Sequence, residues 1–332
     1  MAGLSNLLTP AVLFFALGFL ARIIRSDLKF PPDLAKAISV YLLVAIGIHG
    51  GDALSHADLG TAIYSVIWAL ILGFGLPVLG YIALLMSRRV DALNAAAIAA
   101  HYGSVSAGTF LTAVAYLQSA GISYENYPVI MLAVMESPAI IVGLLLAAWA
   151  RRGSHHETST ASGDNGSNPS SHLLRDAFTN GSVLLLIGSM LIGAVISPSS
   201  HEAIKPFMTE IFMGALCLFL LEMGLEAARR IGDFRRIGMT LVAFGLIMPV
   251  FSAMIGIVIG ASILGFGVGG TLLVGVLAAS ASYIAVPPAM RLAIPEANPS
   301  LYLTLSLGIT FPFNVVIGIP LYHRIAEYAV LT

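Results

Sequence analysis

Long runs of apolar residues, separated by short polar or charged segments, dominate the pattern of the chain. The runs are roughly 17 to 25 residues long, the helical length needed to cross about 30 Å of hydrocarbon at 1.5 Å per residue. Breaks at glycine, proline and charged clusters predict ten membrane-spanning helices. Their approximate bounds are 5–24, 34–51, 60–87, 92–118, 127–150, 178–197, 206–227, 237–264, 270–292 and 300–324.

The composition supports an all-α membrane protein. Of 332 residues, 58% are hydrophobic and only 10% are charged, whereas soluble domains carry about 25% charged residues. The net charge of −1 comes without a basic, aromatic-rich patch, which argues against nucleic-acid binding. The single cysteine, Cys217, lies in an apolar run and indicates packing rather than a disulfide or metal site. No catalytic triad, metal-ligand spacing or phosphate-binding loop is present, so we expect neither an enzyme nor a cofactor.

A polar segment, "RRGSHHETSTASGDNGSNPSSHLLRD", divides the apolar runs into five and five. Its Gly, Ser and Asn content is typical of a linker. We therefore expect three parts: a first five-helix repeat at 1–150, a linker at 151–177 and a second repeat at 178–332. The N-terminus "MAGLSNLLTP" lacks a positive leader, and we expect the first run to be a retained helix.

The distribution of lysine and arginine predicts the orientation, because short cytoplasmic loops keep positive charge. With ten spans, 14 of the 16 basic residues fall on one side, and Lys205 and Arg324 fall on the other. The 14 are Arg22, Arg25, Lys29, Lys36, Arg88, Arg89, Arg151, Arg152, Arg175, Arg229, Arg230, Arg235, Arg236 and Arg291. Both termini are therefore expected outside and the linker in the cytoplasm.

The two halves show weak internal matches that keep their order along the chain. "GSVSAGTF" parallels "ASASYIAV", "ESPAIIVG" parallels "TFPFNVVIG", "GLPVLG" parallels "IMPVFS" and "IHGGDA" parallels "EMGLEA", at offsets of 172 to 176. Because five is odd, two homologous five-helix halves must be inverted relative to each other, an architecture that many secondary transporters share. The matches predict an inverted repeat.

The fourth and ninth spans have polar, small-residue middles. In "AAIAAHYGSVSAGTFLTAVA" the segment from His101 to Thr112 contains two glycines, two serines and two threonines. Ser104 and Ser106 are able to cap a restarted helix, and "VPP" is suited to a first helical turn. Unwound backbone at membrane depth is tolerated only where protein or a polar cavity satisfies it, so paired breaks predict a binding site. The alternative is that these small residues only let helices pack closely.

Two helix N-termini at such a site favour a small monoanion, since each carries about +0.5 elementary charge and free N–H donors. Moving one negative charge inward costs about 2.3 kcal/mol per 100 mV, so uptake requires a coupled cation. Glu136 is notable because an acid deep in a span is expensive, although a protonated or hydrogen-bonded carboxyl is the alternative interpretation. Oxygen ligands for sodium near the breaks are Ser104, Thr109, Thr112, Glu136, Ser137, Thr310 and Asn314.

Four stretches, "SVYLLVAIGIHGG", "HYGSVSAGTF", "MESPAI" and "ASASYIAVPPAMR", resemble the SbtA-type sodium-dependent bicarbonate transporters of bacteria. The resemblance implies an inner-membrane homotrimer in which spans 1, 2, 6 and 7 form a gate domain, and spans 3–5 and 8–10 a core domain that moves like an elevator. It also implies control by a PII-like SbtB-type protein on the cytoplasmic face, with Na⁺ as the coupling ion. Bicarbonate is then expected where the broken spans cross, near Gly103, Ser104, Val105, Ser106, Ala281 and Ser282.

Two other functions remain open at this point. A carrier of the same fold could move another small anion, such as a short carboxylate or sulfate. An anion channel would have a continuous pore, and its flux would not depend on sodium. Sodium-dependent, saturable bicarbonate uptake distinguishes the first hypothesis from both.

Overall fold

A computed structural model describes residues 9–55, 58–154, 181–230 and 237–331, and within these ranges the chain is helical without strands. The helices are α1 Pro10–Ile23, α2 Pro32–Ser55, α3 Leu59–Met86, α4 Ala92–Gly103, α5 Ala107–Ala120, α6 Tyr127–Met135, α7 Pro138–Ser154, α8 Gly181–Val195, α9 Pro198–Lys205, α10 Phe212–Arg229, α11 Met239–Val258, α12 Val268–Ala279, α13 Val286–Ala293, α14 Pro299–Leu303, α15 Phe311–Phe313 and α16 Ile319–Leu331. Four π-helical stretches accompany them at Pro206–Glu210, Ile259–Ile263, Thr304–Thr310 and Asn314–Gly318.

Six helical segments of the described chain are long and apolar enough to cross a membrane. They are Asp33–Asp52, Leu59–Met86, Tyr127–Arg152, Pro198–Arg229, Met239–Ile263 and Pro299–Leu331, and shorter apolar helices lie at Pro10–Ile23, Leu184–Val195 and Val268–Ala279. The predicted all-α membrane class is confirmed. Helix α7 continues to Ser154, into the first residues of the predicted linker. The rest of that linker and the start of the first predicted span lie outside the described residues.

Two helical regions are interrupted at the positions that the small, polar residues predict. Helix α4 ends at Gly103 and α5 begins at Ala107, while α12 ends at Ala279 and α13 begins at Val286. Each piece is shorter than the roughly 20 residues that a spanning helix needs. We call residues 104–106 the first interruption and residues 280–285 the second.

Other irregularities were not predicted. The helix expected over 127–150 is interrupted at Glu136–Ser137, between α6 and α7. Pro138 lacks the N–H that would donate to the fourth residue before it, so the helical ladder breaks there. The π-helical stretches likewise cannot be read from hydrophobic periodicity, which constrains the buried face but not the hydrogen-bond register.

Helices α1, α2, α8 and α10 pack mainly on one another, with α1 against α10 and α2 against α8. Small residues make the approach possible, since a β-carbon at Gly18 would overlap the Leu221 carbonyl and one at Gly224 would overlap the Phe15 carbonyl. A second group has its closest contacts between α3 and α4, α4 and α7, α11 and α12, and α12 and α16. Both interruptions belong to the second group.

Polar contacts join distant segments at the two ends of the bundle. At one end Arg151 makes two hydrogen bonds of 3.1 and 2.8 Å to the Glu296 carboxylate, and these bonds hold the pKa of Glu296 below its ordinary value. At the other end the Glu125 carboxylate accepts a 2.8 Å bond from the Gly267 amide. The first half is thus tied to the second half at both ends of the bundle.

Candidate functional site

The two interruptions meet in the interior and bond to each other. The Ser282 amide donates to the His101 carbonyl at 2.8 Å, and the Ser106 amide donates to the Ser280 hydroxyl at 2.9 Å. These bonds satisfy main-chain polar groups that have no partner within a helix, because the helices stop at each break. The unwound backbone of each half is therefore bonded to the other half.

A small cavity lies beside this crossing, with about 60 Å³ of water-accessible space. A single water needs about 10–15 Å³ by the same measure, so the cavity accepts about four to six water-sized groups. One wall consists of Val105, Ser106, Ala107, Gly108, Leu111, Glu136, Ser282, Tyr283, Ile284 and Ala285, and the facing wall of Ser39, Leu42, Leu43 and Phe219. The first wall comes from the interrupted helices and the second from α2 and α10.

The N-terminus of α5 opens onto the cavity at Ala107 and Gly108. Ser106 is its N-cap, because the Ser106 hydroxyl accepts bonds from the Thr109 amide at 3.2 Å and from the Thr109 hydroxyl at 3.0 Å. The first amides of a helix have no intrahelical acceptor, and the aligned peptide dipoles add positive potential there. This end of α5 is therefore a ready site for negative charge.

The N-terminus of α13 approaches from the second half. The Val286 amide donates to the Ser282 hydroxyl at 3.4 Å, and proline occupies the first turn. Ile284 and Ala285, just before the helix, line the cavity. The two restarted helices thus face the same small space.

Among the described residues, Glu136 is the only acidic one that lines the cavity, and no lysine or arginine lines it. Its main-chain carbonyl accepts a 3.3 Å bond from the Ser104 hydroxyl, which ties the turn between α6 and α7 to the first interruption. A carboxylate with no basic partner in the same cavity favours a cation over a second anion. The site therefore combines electropositive main-chain ends with one cation-attracting side chain.

The structure places some of the residues predicted for anion binding at the cavity and others away from it. Val105, Ser106 and Ser282 line the cavity. Gly103 instead packs on the Pro77 ring, where a β-carbon would overlap that ring. The remaining two, Ser104 and Ala281, are buried in the crossing but do not line the cavity.

The oxygen ligands predicted for sodium in the first half lie close to the cavity. Glu136 lines it, and Ser137 is buried beside Glu136 at the same turn. Ser104 and Thr109 are bonded within this group, to the Glu136 carbonyl and to Ser106 respectively. Their role as ligands stays a prediction.

The two predicted ligands from the second half are engaged in other bonds. The Thr310 hydroxyl donates to the Gly245 carbonyl at 2.7 Å. The Asn314 amide donates to the Ala279 carbonyl at 2.9 Å, at the last residue of α12. Neither residue lines the cavity, so the structure does not gather all of the predicted sodium ligands around it.

Sequence reasoning missed several cavity residues. Tyr283 lies in the second interruption, and an aromatic hydroxyl within a predicted break was a usable signal. Ser39, Leu42 and Phe219 carried no such signal, because they look like any apolar or small residue on a spanning helix. Only the packing of α2 and α10 against the interruptions brings them to the site.

A multi-pass helical protein whose two interrupted helices meet at a small cavity lined by serines and a glutamate has the architecture of a membrane transporter. Over residues 10–327 the chain matches the Na⁺-dependent bicarbonate transporter superfamily, and it belongs to that family. The family is one of transporters and not of enzymes, and its transport depends on Na⁺. The predicted family is thereby confirmed. No curated protein matches the chain.

Proposed function

We propose that the protein is a secondary transporter that couples bicarbonate uptake to sodium. The observation that carries the proposal is the cavity at the crossing, where two helix N-termini and serine hydroxyls converge and the described lining residues include no lysine or arginine. Bicarbonate binds between Ser106 and Ser282, against the first amides of α5 and the chain entering α13. Main-chain amides at a helix start need no side-chain cation to bind an anion.

The size and chemistry of the cavity support a small planar anion. Bicarbonate has four non-hydrogen atoms, which matches a space for about four to six water-sized groups. Its oxygens accept from amides, and its hydroxyl donates to a serine or to the Glu136 carboxylate. A bulky organic acid exceeds this volume because Leu42, Leu111 and Phe219 close the cavity with apolar surface.

Sodium binds at Glu136, together with oxygens of Ser104, Thr109 and Ser137. Two negative groups 4 Å apart repel by about 4 kcal/mol at an effective dielectric constant of 20. Bicarbonate therefore enters beside an ionised Glu136 only when a cation is present. This electrostatic requirement couples the two ions.

The two walls of the cavity support an elevator-like cycle. Ser39, Leu42, Leu43 and Phe219 belong to the α1, α2, α8 and α10 group, and the other lining residues belong to the second group. We assign the first group, with α9, as the gate domain and the second as the core domain of a ten-span inverted repeat. The core carries the anion past the gate, and each conformation opens the cavity to one side.

The arginine-rich end of the bundle faces the cytoplasm, with both termini and Lys205 outside. The positive-inside rule supports this orientation. The protein resides in a bacterial inner membrane as a homotrimer, and an SbtB-type PII-like regulator binds its cytoplasmic face. Crosslinking in native membranes tests the trimer, and cysteine labelling at Arg88 and Glu125 tests the orientation.

Uptake of labelled bicarbonate into proteoliposomes tests the transport function. We expect saturable uptake at alkaline pH, where CO₂ is scarce, that stops when external sodium is replaced by choline. Flux that persists without sodium would indicate an anion channel. Sodium-dependent uptake of sulfate or a short carboxylate in preference to bicarbonate would indicate a carrier of another anion.

A further inference from the structure

A proline inside α11 leaves one buried carbonyl without its helical donor. Pro249 has no N–H, so it cannot donate to the carbonyl of Gly245, four residues earlier. Gly245 is buried in the bundle. A buried carbonyl without a donor costs about 1–3 kcal/mol, so another group is expected to supply one.

Thr310 supplies that donor from a distant part of the chain. Its hydroxyl lies 2.7 Å from the Gly245 carbonyl, and its side chain is fully buried. Thr310 is the last residue of the π-helical stretch Thr304–Thr310. This bond joins α11 to the helical region that contains α14, α15 and α16.

Tyr102 extends the chain of hydroxyls to the first interruption. Its hydroxyl lies 2.6 Å from the Thr310 hydroxyl. Thr310 has a single hydroxyl proton and gives it to Gly245, so Tyr102 is the donor to Thr310. Tyr102 is the penultimate residue of α4, directly before Gly103, and a side chain at Gly245 would begin 3.3 Å from the Tyr102 hydroxyl.

We propose that Tyr102 and Thr310 are positioning residues for the anion site. The relay from Tyr102 through Thr310 to Gly245 fixes the last turn of α4 against α11. It thereby sets where the first interruption places Ser106 and the start of α5. Neither Tyr102 nor Thr310 lines the cavity, so both act through the helix end that they hold. This inference rests on the proposed function, which places the anion site at this crossing.

The relay predicts a specific pattern of transport defects. Thr310→Val keeps the shape of the side chain but removes the donor, and we expect the bicarbonate KM to rise about tenfold with maximal uptake within about twofold of wild type. Thr310→Ser retains the hydroxyl and should keep the wild-type KM. Thr304→Val is the matched control, since Thr304 is equally buried in the same π-helical stretch and its hydroxyl has no partner among the described residues.

A second-site variant tests the physical cause. Pro249→Ala restores an N–H that can donate to Gly245 but not the bond from Tyr102 to Thr310, so the double variant Pro249→Ala/Thr310→Val should recover Tm while the bicarbonate KM stays raised about tenfold. A sodium ligand at Thr310 would instead raise the sodium concentration for half-maximal uptake in Thr310→Val. A wild-type KM in Thr310→Val, an equal defect in Thr310→Ser, or a wild-type KM in the double variant would each overturn the proposal.

The same variants are measured for thermal unfolding in detergent, which requires no transport. We expect Thr310→Val to lower Tm and Pro249→Ala to recover it, and Tyr102→Phe replaces Thr310→Val if the latter does not fold. Absence of sodium-dependent uptake by the wild-type protein would count against the proposed function. In that case an unchanged Tm in Thr310→Val, or no recovery in the double variant, would still overturn the relay.

Discussion

The first and second interruptions occupy matching places in the two halves but are built differently. The first is three residues long, and a serine side chain caps the helix that follows. The second is six residues long, the N-cap residue of its following helix, Ala285, makes no side-chain cap, and proline lies in the first turn. Two different local arrangements thus interrupt the helices at corresponding positions of the two halves.

The ends of the helices that precede the interruptions differ as well. Gly103, at the end of α4, packs directly on the Pro77 ring. At the end of α12 the carbonyl of Ala279 is satisfied by the side-chain amide of Asn314. The helix end before the first interruption is fixed by close packing, and the one before the second by a side-chain hydrogen bond. With its serine-capped restart, the first interruption is expected to be the better-fixed part of the anion site.

The largest effect is expected from Ser106→Leu. The leucine side chain fills a cavity of about 60 Å³ and removes the N-cap of α5, so bicarbonate uptake should be abolished while assembly is retained. Radiolabel uptake and gel filtration measure the two properties. Ser65→Ala is the control, because Ser65 is a buried serine of α3 that does not line the cavity and donates to the Thr61 carbonyl of its own helix. Normal transport by Ser106→Leu would show that Ser106 serves packing alone.

The second largest effect is expected at Glu136, because the corresponding position of the second half carries a hydroxyl instead of a carboxylate. The offset of 174 that aligns the two proline motifs places Thr310 opposite Glu136. Glu136→Gln removes the charge but keeps the size, and we expect the sodium concentration for half-maximal uptake to rise about tenfold or more. Sodium titration of uptake measures it, with Thr310→Ser as the control. Wild-type sodium dependence in a well-expressed Glu136→Gln protein would defeat the assignment.

A smaller difference in stability is expected between alanine variants of Ser106 and Ser282, the two serines of the interruptions that line the cavity. Ser106→Ala removes an N-cap and should lower stability by about 1 kcal/mol. Ser282→Ala should cost less than half of that, because the Ser282 hydroxyl receives only a 3.4 Å bond from the Val286 amide. Thermal unfolding in detergent compares the two. A larger loss for Ser282→Ala would reverse the ranking of the interruptions.

The smallest effect is expected at the end of the bundle, where Arg151 of the first half meets Glu296 of the second. Glu296→Gln should lower stability by less than about 1 kcal/mol, since the side chains are 36% and 49% exposed. Because the pKa of Glu296 is lowered in the folded protein, the contribution is present above its ordinary pKa and disappears as pH falls through the lowered value. Tm measured against pH for both proteins checks this. Glu202→Gln, in a local pair with Lys205, is the control and should change nothing measurable.

Part of the candidate site could be predicted from residues that are close in sequence. Ser106 and Thr109 form a cap over three positions, and such local bonds follow from residue type and spacing. Thr310 and Asn314 are predicted as sodium ligands from residue type and nearness to the breaks, yet the Thr310 hydroxyl donates to the Gly245 carbonyl and the Asn314 side-chain oxygen accepts from the Tyr322 hydroxyl. Spacing along the chain does not reveal which distant carbonyl lacks a donor.

The sequence by itself determined the membrane class and the location of both interruptions, because segment length and local polarity act over a few helical turns. Tertiary structure decided which side chains share a cavity. Leu42 and Phe219 reach it only because α2 and α10 pack beside the crossing, and Ser104 does not line it although it lies two residues from Ser106. A cavity is the space left between helices, so its lining depends on how their surfaces fit together rather than on any one segment.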